Sequence, residues 1–201
     1  MNLTVLGATG PTGTQLVEQA LAAGHHVTAL ARSPKKLIIT NPNLHVVQGD
    51  ATDHAAVSQA MKGADAVISV LGARGPVIAE ATRAVVAAAE QAGPDRILML
   101  SSFAVARDRL KPVSKLATRM AMGSQIKDKT AGEEVLRASG LDWTIVYATF
   151  LTNGPKTEPR VVPETEKVGM SKRISRAGVA SFLLQAATDD LYSRRDVIIS
   201  G

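Results

Sequence analysis

Chemistry first becomes possible in this sequence at Gly7, Gly10 and Gly13, three glycines at a spacing of three that follow the apolar run Leu3-Thr4-Val5-Leu6. Glycine tolerates positive φ and lets a backbone approach a pyrophosphate closely. The free N–H groups of a helix beginning there favour an anion. Gly7-Ala-Thr9-Gly10-Pro11-Thr12-Gly13 therefore reads as a strand end, a phosphate-cradling turn and a helix start. Alone, the pattern fits a structural turn equally well, and the elements around it have to decide.

A second set of polar residues stands where each later apolar run ends. Arg32 and Ser33 come nineteen residues after Gly13, followed by Lys35 and Lys36; then come Gly49-Asp50-Ala51, Leu71-Gly72 with Arg74, Ser101-Ser102, and Ala148-Thr149. In an open α/β sheet, ligands occupy the crevice at the carboxyl ends of the strands, so these residues form one candidate site. A carboxylate about twenty residues beyond the glycines would hold the ribose hydroxyls of NAD. Arg32 at that place favours NADP, because a guanidinium holds a 2′-phosphate bidentately and no carboxylate stands there to repel it. Asp50 is read as facing the adenine, and Asp53 as the cap of the helix near His54.

The elements that must position these residues are legible in outline. Gly24, Gly63, Gly93 and Gly140 each stand three residues before an apolar run, as if four helices hand over to four strands through the same tight loop. The runs Val67–Leu71, Ile97–Leu100 and Thr144–Val146 are apolar but for Ser69 and Thr144, as strands covered on both faces should be. Leu16, Val17, Ala20 and Leu21 form one buried helical stripe; Val77, Ala81, Val85 and Ala88 form another. This predicts an α/β, Rossmann-like doubly wound parallel sheet in a single domain over residues 1–201. Less regular, substrate-side elements fall at about 103–128 and 149–175.

The glycine loop, Ala31-Arg32-Ser33, Gly49-Asp50, Leu71-Gly72-Ala73-Arg74, Ser101-Ser102-Phe103 and Ser139-Gly-Leu-Asp-Trp-Thr-Ile-Val146 resemble the atypical short-chain dehydrogenase/reductases. Within them the chain is most similar to the NAD(P)H-binding subgroup of NmrA-like proteins and the flavin reductase/biliverdin-IXβ reductases. The resemblance spans nearly the whole chain. It implies NADPH binding through Gly7, Gly10, Gly13, Arg32, Asp50 and Arg74, with NAD less favoured. The cofactor-side set is completed by Thr9, Pro11, Thr12, Ser33, Lys36, Ala51, Leu71, Gly72, Ser101, Ala148 and Thr149.

The usual short-chain dehydrogenase acid, a Tyr four residues before a Lys, has no counterpart: Tyr147 and Tyr192 have Leu151 and Asp196 at that offset. By resemblance, Ser102 lies beside the substrate, and Lys129 falls where relatives carry a histidine or lysine. Direct hydride transfer to a conjugated acceptor, a flavin or a linear tetrapyrrole, suits such residues, with water supplying the proton. Each also has a plainer reading: Ser102 bonding its own loop and Lys129 a solvated helix lysine. Three phenylalanines, two tyrosines and one tryptophan leave few rings to stack such an acceptor, so a non-catalytic NADP(H) sensor of NmrA-like type stays open.

The basic stretch Ala104–Ser124, with Arg107, Arg109, Lys111, Lys115 and Arg119, is open to three readings: a lid over an anionic acceptor, a partner surface, or an ordinary packed amphipathic helix. A formal charge of +5 spread mostly along the chain points to anionic small ligands rather than nucleic acid. No apolar run approaches a membrane span, and Met1 passes directly into the first strand without a leader. Together these predict a cytoplasmic protein, monomeric or weakly self-associating. The absence of cysteine excludes thiol catalysis, and His25, His26, His45 and His54 are placed away from the ligand edge, so no metal site is expected.

Overall fold

Strand β1 (Asn2–Leu6) lies in the middle of the molecule, paired in parallel with β2 (His26–Ala31) on one side and β4 (Ala66–Ser69) on the other. The computed structural model describes all residues except 73–76, 107–108, 111 and 170, and only the backbone of 112–124. Outward from β1 and β2 comes β3 (Leu44–Gln48); outward from β4 come β5 (Arg96–Ser102), β6 (Asp142–Ala148) and β10 (Arg195–Ser200), all parallel. The two-residue β8 (Arg160–Val161) closes that edge antiparallel to β10, giving the order β3-β2-β1-β4-β5-β6-β10-β8. The order reverses between β1 and β4. There the connections diverge to opposite sides and leave a crevice at the carboxyl ends of the strands.

Alternation along the strands sorts the two faces. Leu3, Val5, Leu98, Leu100, Val146 and Ala148 pack against α1 (Pro11–Ala22) and α5 (Arg176–Thr188). Leu6, Ile97, Met99, Ile145 and Tyr147 pack against α2 (His54–Met61), α3 (Val77–Ala92) and α4 (Pro112–Ala138). Both faces are covered, which is why the strands read as nearly continuous apolar runs. The buried polar residue within β1, Thr4, gives its hydroxyl to the Ala60 carbonyl at 2.7 Å. Of the two expected helical stripes, that of α1 is wholly buried; in α3, Ala81, Val85 and Ala88 are buried and Val77 opens onto the crevice.

The repeated glycine stops are in place, but for different reasons. Gly24 and Gly63 take positive φ, +82° and +71°, as helix-ending glycines do. Gly93 instead makes room: a Cβ there would meet Ala89 Cα at 2.7 Å. The irregular last third contains a small second sheet in which β7 (Phe150–Thr152) pairs in parallel with β9 (Arg173–Ser175). Ser175 then caps α5, accepting from Gly178 N. This sheet carries the chain from β6 across one wall of the crevice. Among the described residues no helix is long and apolar enough to cross a membrane.

Candidate active site

The crevice is a cleft of about 880 Å³ running along the carboxyl edge of the sheet. Its wall contains Gly7, Thr9, Gly10, Pro11, Thr12, Arg32, Ser33, Lys36, Asp50, Ala51, Leu71, Gly72, Ser101, Ser102, Lys129, Ala148 and Thr149. Arg74 lies outside the described residues. Gly13 is not part of the wall. A Cβ there would lie 2.1 Å from the Gly7 carbonyl oxygen and 2.8 Å from Ala8 Cα, so Gly13 lets α1 press onto the loop. No side chain caps α1 at Gly10 and no acid stands in its first turn, which leaves the positive end of the helix for an anion.

At one end of the cleft, Arg32 Nη1 stands 3.9 Å from Asp50 Oδ2. This corrects the expectation of a carboxylate-free position: the parallel register of β2 and β3 brings their exits together. Asp50 is also tied to its own turn, accepting from Thr52 N at 3.0 Å and Thr52 Oγ1 at 2.9 Å. The Thr52 N–H first, then its hydroxyl, and in smaller part Arg32 hold the Asp50 carboxyl below the ordinary aspartate range. Asp53 caps α2, accepting from Ala55 N at 3.0 Å.

At the other end the end of β5 presents two neighbouring hydroxyls in different settings. Ser102 is half-buried, and its Oγ accepts from Ala104 N at 3.3 Å, which leaves its hydroxyl hydrogen for the cleft. The plainer reading of Ser102 thus holds alongside its place in the wall. Ser101 is buried and gives its hydrogen to Glu133 Oε1 at 2.6 Å. Thr149 is 2% exposed, and its Oγ1 has no hydrogen-bond partner among the described residues. Phe103 and Phe150 meet edge to face at 5.1 Å and, with Leu100 and Leu151, form an apolar patch. Arg176 reaches the same wall, giving Nη1 to Asn153 Oδ1 at 2.7 Å.

Lys129 projects from α4 into the cleft wall, half-buried, with no hydrogen bond or ion pair among the described residues. Burial draws its pKa below the ordinary lysine range, opposed by Glu133 and Asp128. Asp128 is committed elsewhere, accepting from Ile78 N at 2.9 Å and Ala79 N at 3.1 Å at the start of α3.

Sequence reasoning missed Glu133. Tyr147 gives its hydroxyl to Glu133 Oε2 at 2.6 Å, and Arg137 adds a bond at 3.2 Å while gripping both oxygens of Asp196 at 2.9 and 3.1 Å. Tyr147 is thus turned away from the cleft, and burial, then the neighbouring Glu133, keeps its hydroxyl protonated. The available signal was spacing: Ile126, Lys129, Glu133 and Leu136 form one helical stripe in which two charges sit among apolar residues. In the basic stretch, Arg109 bonds the carbonyls of Pro163 at 2.5 Å and Glu166 at 3.4 Å, which ties it to the neighbouring loop. Arg107 and Lys111, and the side chains of Lys115 and Arg119, lie outside the described residues. None of the four histidines lines the cleft, and no group of three or more His, Asp or Glu among the described residues could hold a metal ion.

Residues 7–190 match the model of a family described as NAD(P)H-binding. The chain belongs to this NAD(P)H-binding family. Among its relatives, a (4-alkanoyl-5-oxo-2,5-dihydrofuran-3-yl)methyl phosphate reductase of Streptomyces griseus is 34% identical over 152 residues, covering 75% of this chain and 49% of that one. An isoflavone reductase homolog of Zea mays is 31% identical over 157 residues, covering 74% and 48%. The chain spans about half the length of these two relatives. Of solved structures, ChuY, an anaerobillin reductase from Escherichia coli O157:H7, superposes with a TM-score of 0.85 at 25% identity, covering 99% of this chain and 96% of that one. A short-chain dehydrogenase/reductase from Veillonella parvula in complex with NADP gives 0.87 at 20% identity over 100% and 94%, a likeness of fold.

Proposed function

We propose that this NAD(P)H-binding protein is an NADPH-dependent oxidoreductase that delivers hydride to a conjugated acceptor: a flavin, a biliverdin-like tetrapyrrole, or another conjugated carbonyl or quinone. The observation that carries this reading is the continuity of the cleft. One cavity joins the glycine loop and the Arg32–Lys36 cations to the Ser102, Lys129 and Phe103–Phe150 end. The residues fit the dinucleotide. The loop carries no Cβ at Gly7 and Gly10, the helix N-terminus is uncapped, the cations suit a 2′-phosphate, and the Thr149 hydroxyl is buried without a partner among the described residues. Bound NADPH supplies the hydride.

The chain's own residues place the acceptor and hold a proton near it. The apolar patch of Phe103 and Phe150 excludes water from a flat conjugated face, the Ser102 hydroxyl donates to an acceptor carbonyl, and the Lys129 ammonium carries a transferable proton. Lys129 and Arg176, both on this wall, favour an acceptor with a carboxylate or phosphate edge. The Streptomyces relative, named as the reductase of a methyl phosphate, supports that preference.

A second reading has one observation in its favour. Tyr147 is bonded to Glu133 instead of lining the cleft, so no phenol is available as acid, and an NADP(H) sensor needs none. The test is loss of NADPH absorbance with FMN, biliverdin, simple quinones and phosphorylated enones. Acceptor-dependent oxidation that falls at least tenfold in Ser102→Ala, at unchanged NADPH affinity, supports the reductase. Tight NADPH binding with no acceptor-dependent oxidation supports the sensor.

A further inference from the structure

Glu133 is 1% exposed and does not line the cleft, yet it adjoins two residues that do. Its Oε1 accepts from Ser101 and its Oε2 from Tyr147, both at 2.6 Å. Because the Ser101 hydrogen is spent on Glu133, that hydroxyl turns only lone pairs toward the cleft. Glu133 also follows Lys129 by one helical turn, the separation at which side chains on a helix are neighbours.

The charges around Glu133 decide what it balances. On its own helix its neighbours are Lys129 and Arg137, with Asp128 also acting on Lys129; β5 contributes Ser101, β6 Tyr147 and β10, through Arg137, Asp196. The helix α3 meets α4 at Gly132 with Ile78 and Thr82, neither charged. Arg137 bonds Glu133 Oε2 at 3.2 Å but is also gripped by both oxygens of Asp196, and Asp128 accepts from the start of α3. Two carboxylates, Glu133 and Asp196, thus meet the single Arg137 guanidinium, and Glu133, one helical turn from Lys129, which is unpaired among the described residues, is placed to balance the lysine's ammonium.

Resting on the reductase reading, we propose that Glu133 is a positioning residue of the acceptor end: it fixes Ser101 as an acceptor toward the cleft and holds Lys129 in its ammonium form for proton delivery. Bound NADPH would supply the hydride, and Lys129 Nζ would then give a proton to the oxygen of the reduced acceptor. The N–H bond breaks, an O–H bond forms, and the neutral amine regains its proton from water.

The test compares Glu133→Gln with Tyr147→Phe, which removes one donor but leaves the charge. Titration of Lys129 is read by NMR of the 13C-dimethylated lysines, assigned with Lys129→Arg, and needs no substrate. In Glu133→Gln the Lys129 titration falls by about one unit or more, while Tyr147→Phe moves it much less. In the reductase assay the alkaline limb of kcat moves to lower pH by the same amount, with NADPH affinity unchanged. A folded Glu133→Gln whose Lys129 titrates as in wild type overturns the proposal. If Glu133→Gln does not fold, Glu133→Asp, which draws the charge back by one methylene, lowers the titration by a smaller step, and no change there overturns it equally. Absence of turnover in the wild type would instead overturn the reductase reading.

Discussion

Replacing Arg32 tests the cofactor end most directly. The Arg32 side chain is 74% exposed and Asp50 42%, so their 3.9 Å pairing adds little to stability and leaves the guanidinium free to turn to a ligand. A hydrogen bond from a charged group contributes about 1.5–3 kcal/mol, and exposure places Arg32 at the lower end. Arg32→Ala should then weaken NADPH about tenfold and leave NADH nearly unchanged. Arg32→Asp goes further. The new carboxylate faces the 2′-phosphate and sits beside Asp50, adding a repulsion of about 1 kcal/mol at water-like screening. Together these shift the NADPH/NADH affinity ratio by roughly 50- to 100-fold toward NADH. Calorimetric or fluorescence titrations with both dinucleotides measure it, and raising the salt should shrink the difference. A ratio within twofold of wild type in both variants would refute the assignment of the 2′-phosphate to Arg32.

Two further substitutions probe the remainder of the cleft. Gly13→Ala places a Cβ 2.1 Å from the Gly7 carbonyl, against backbone that cannot swing aside, and should destabilise the fold by at least the roughly 1–3 kcal/mol of an overpacked core. A wild-type melting temperature would show the contact to be soft. Thr149→Val removes a buried hydroxyl that has no partner among the described residues. It should raise ligand-free stability by about 1 kcal/mol and weaken ligand binding; reduced stability at unchanged affinity would show the hydroxyl to be satisfied within the protein.

The parts of this molecule that could be read beforehand are those written in contiguous sequence. A strand end, its loop and the next helix start lie within a dozen residues, so Gly7–Gly13, Arg32–Ser33 and Asp50–Ala51 are visible from local pattern alone. Topology then gathers them, because every parallel strand delivers its exit to one edge. Pairings between distant elements were not legible. Asp50 was placed correctly at that edge, but its approach to Arg32 depends on the register of β2 and β3. Glu133 and Glu134 are identical neighbours in the sequence; only the rotation of α4 against β5 and β6 buries the first and exposes the second. Gly13 was read as a ligand contact because three equally spaced glycines invite one explanation, whereas the loop uses the last for packing.

The end of β5 carries a lesson about two residues that chemistry alone cannot tell apart. Ser101 and Ser102 differ in nothing but their parity along the strand. The pleat sends the first toward α4 with Ile97 and Met99, and the second toward the side of Leu98 and Leu100. A slip of one residue in the pairing of β5 with β6 would exchange their surroundings, leaving the wired hydroxyl loose and the free one held. Substituting one serine is therefore no control for substituting the other. The hydrogen-bond polarity of the cleft floor is inherited from sheet register, so a distant change that shifts this strand would rewrite it without touching either hydroxyl.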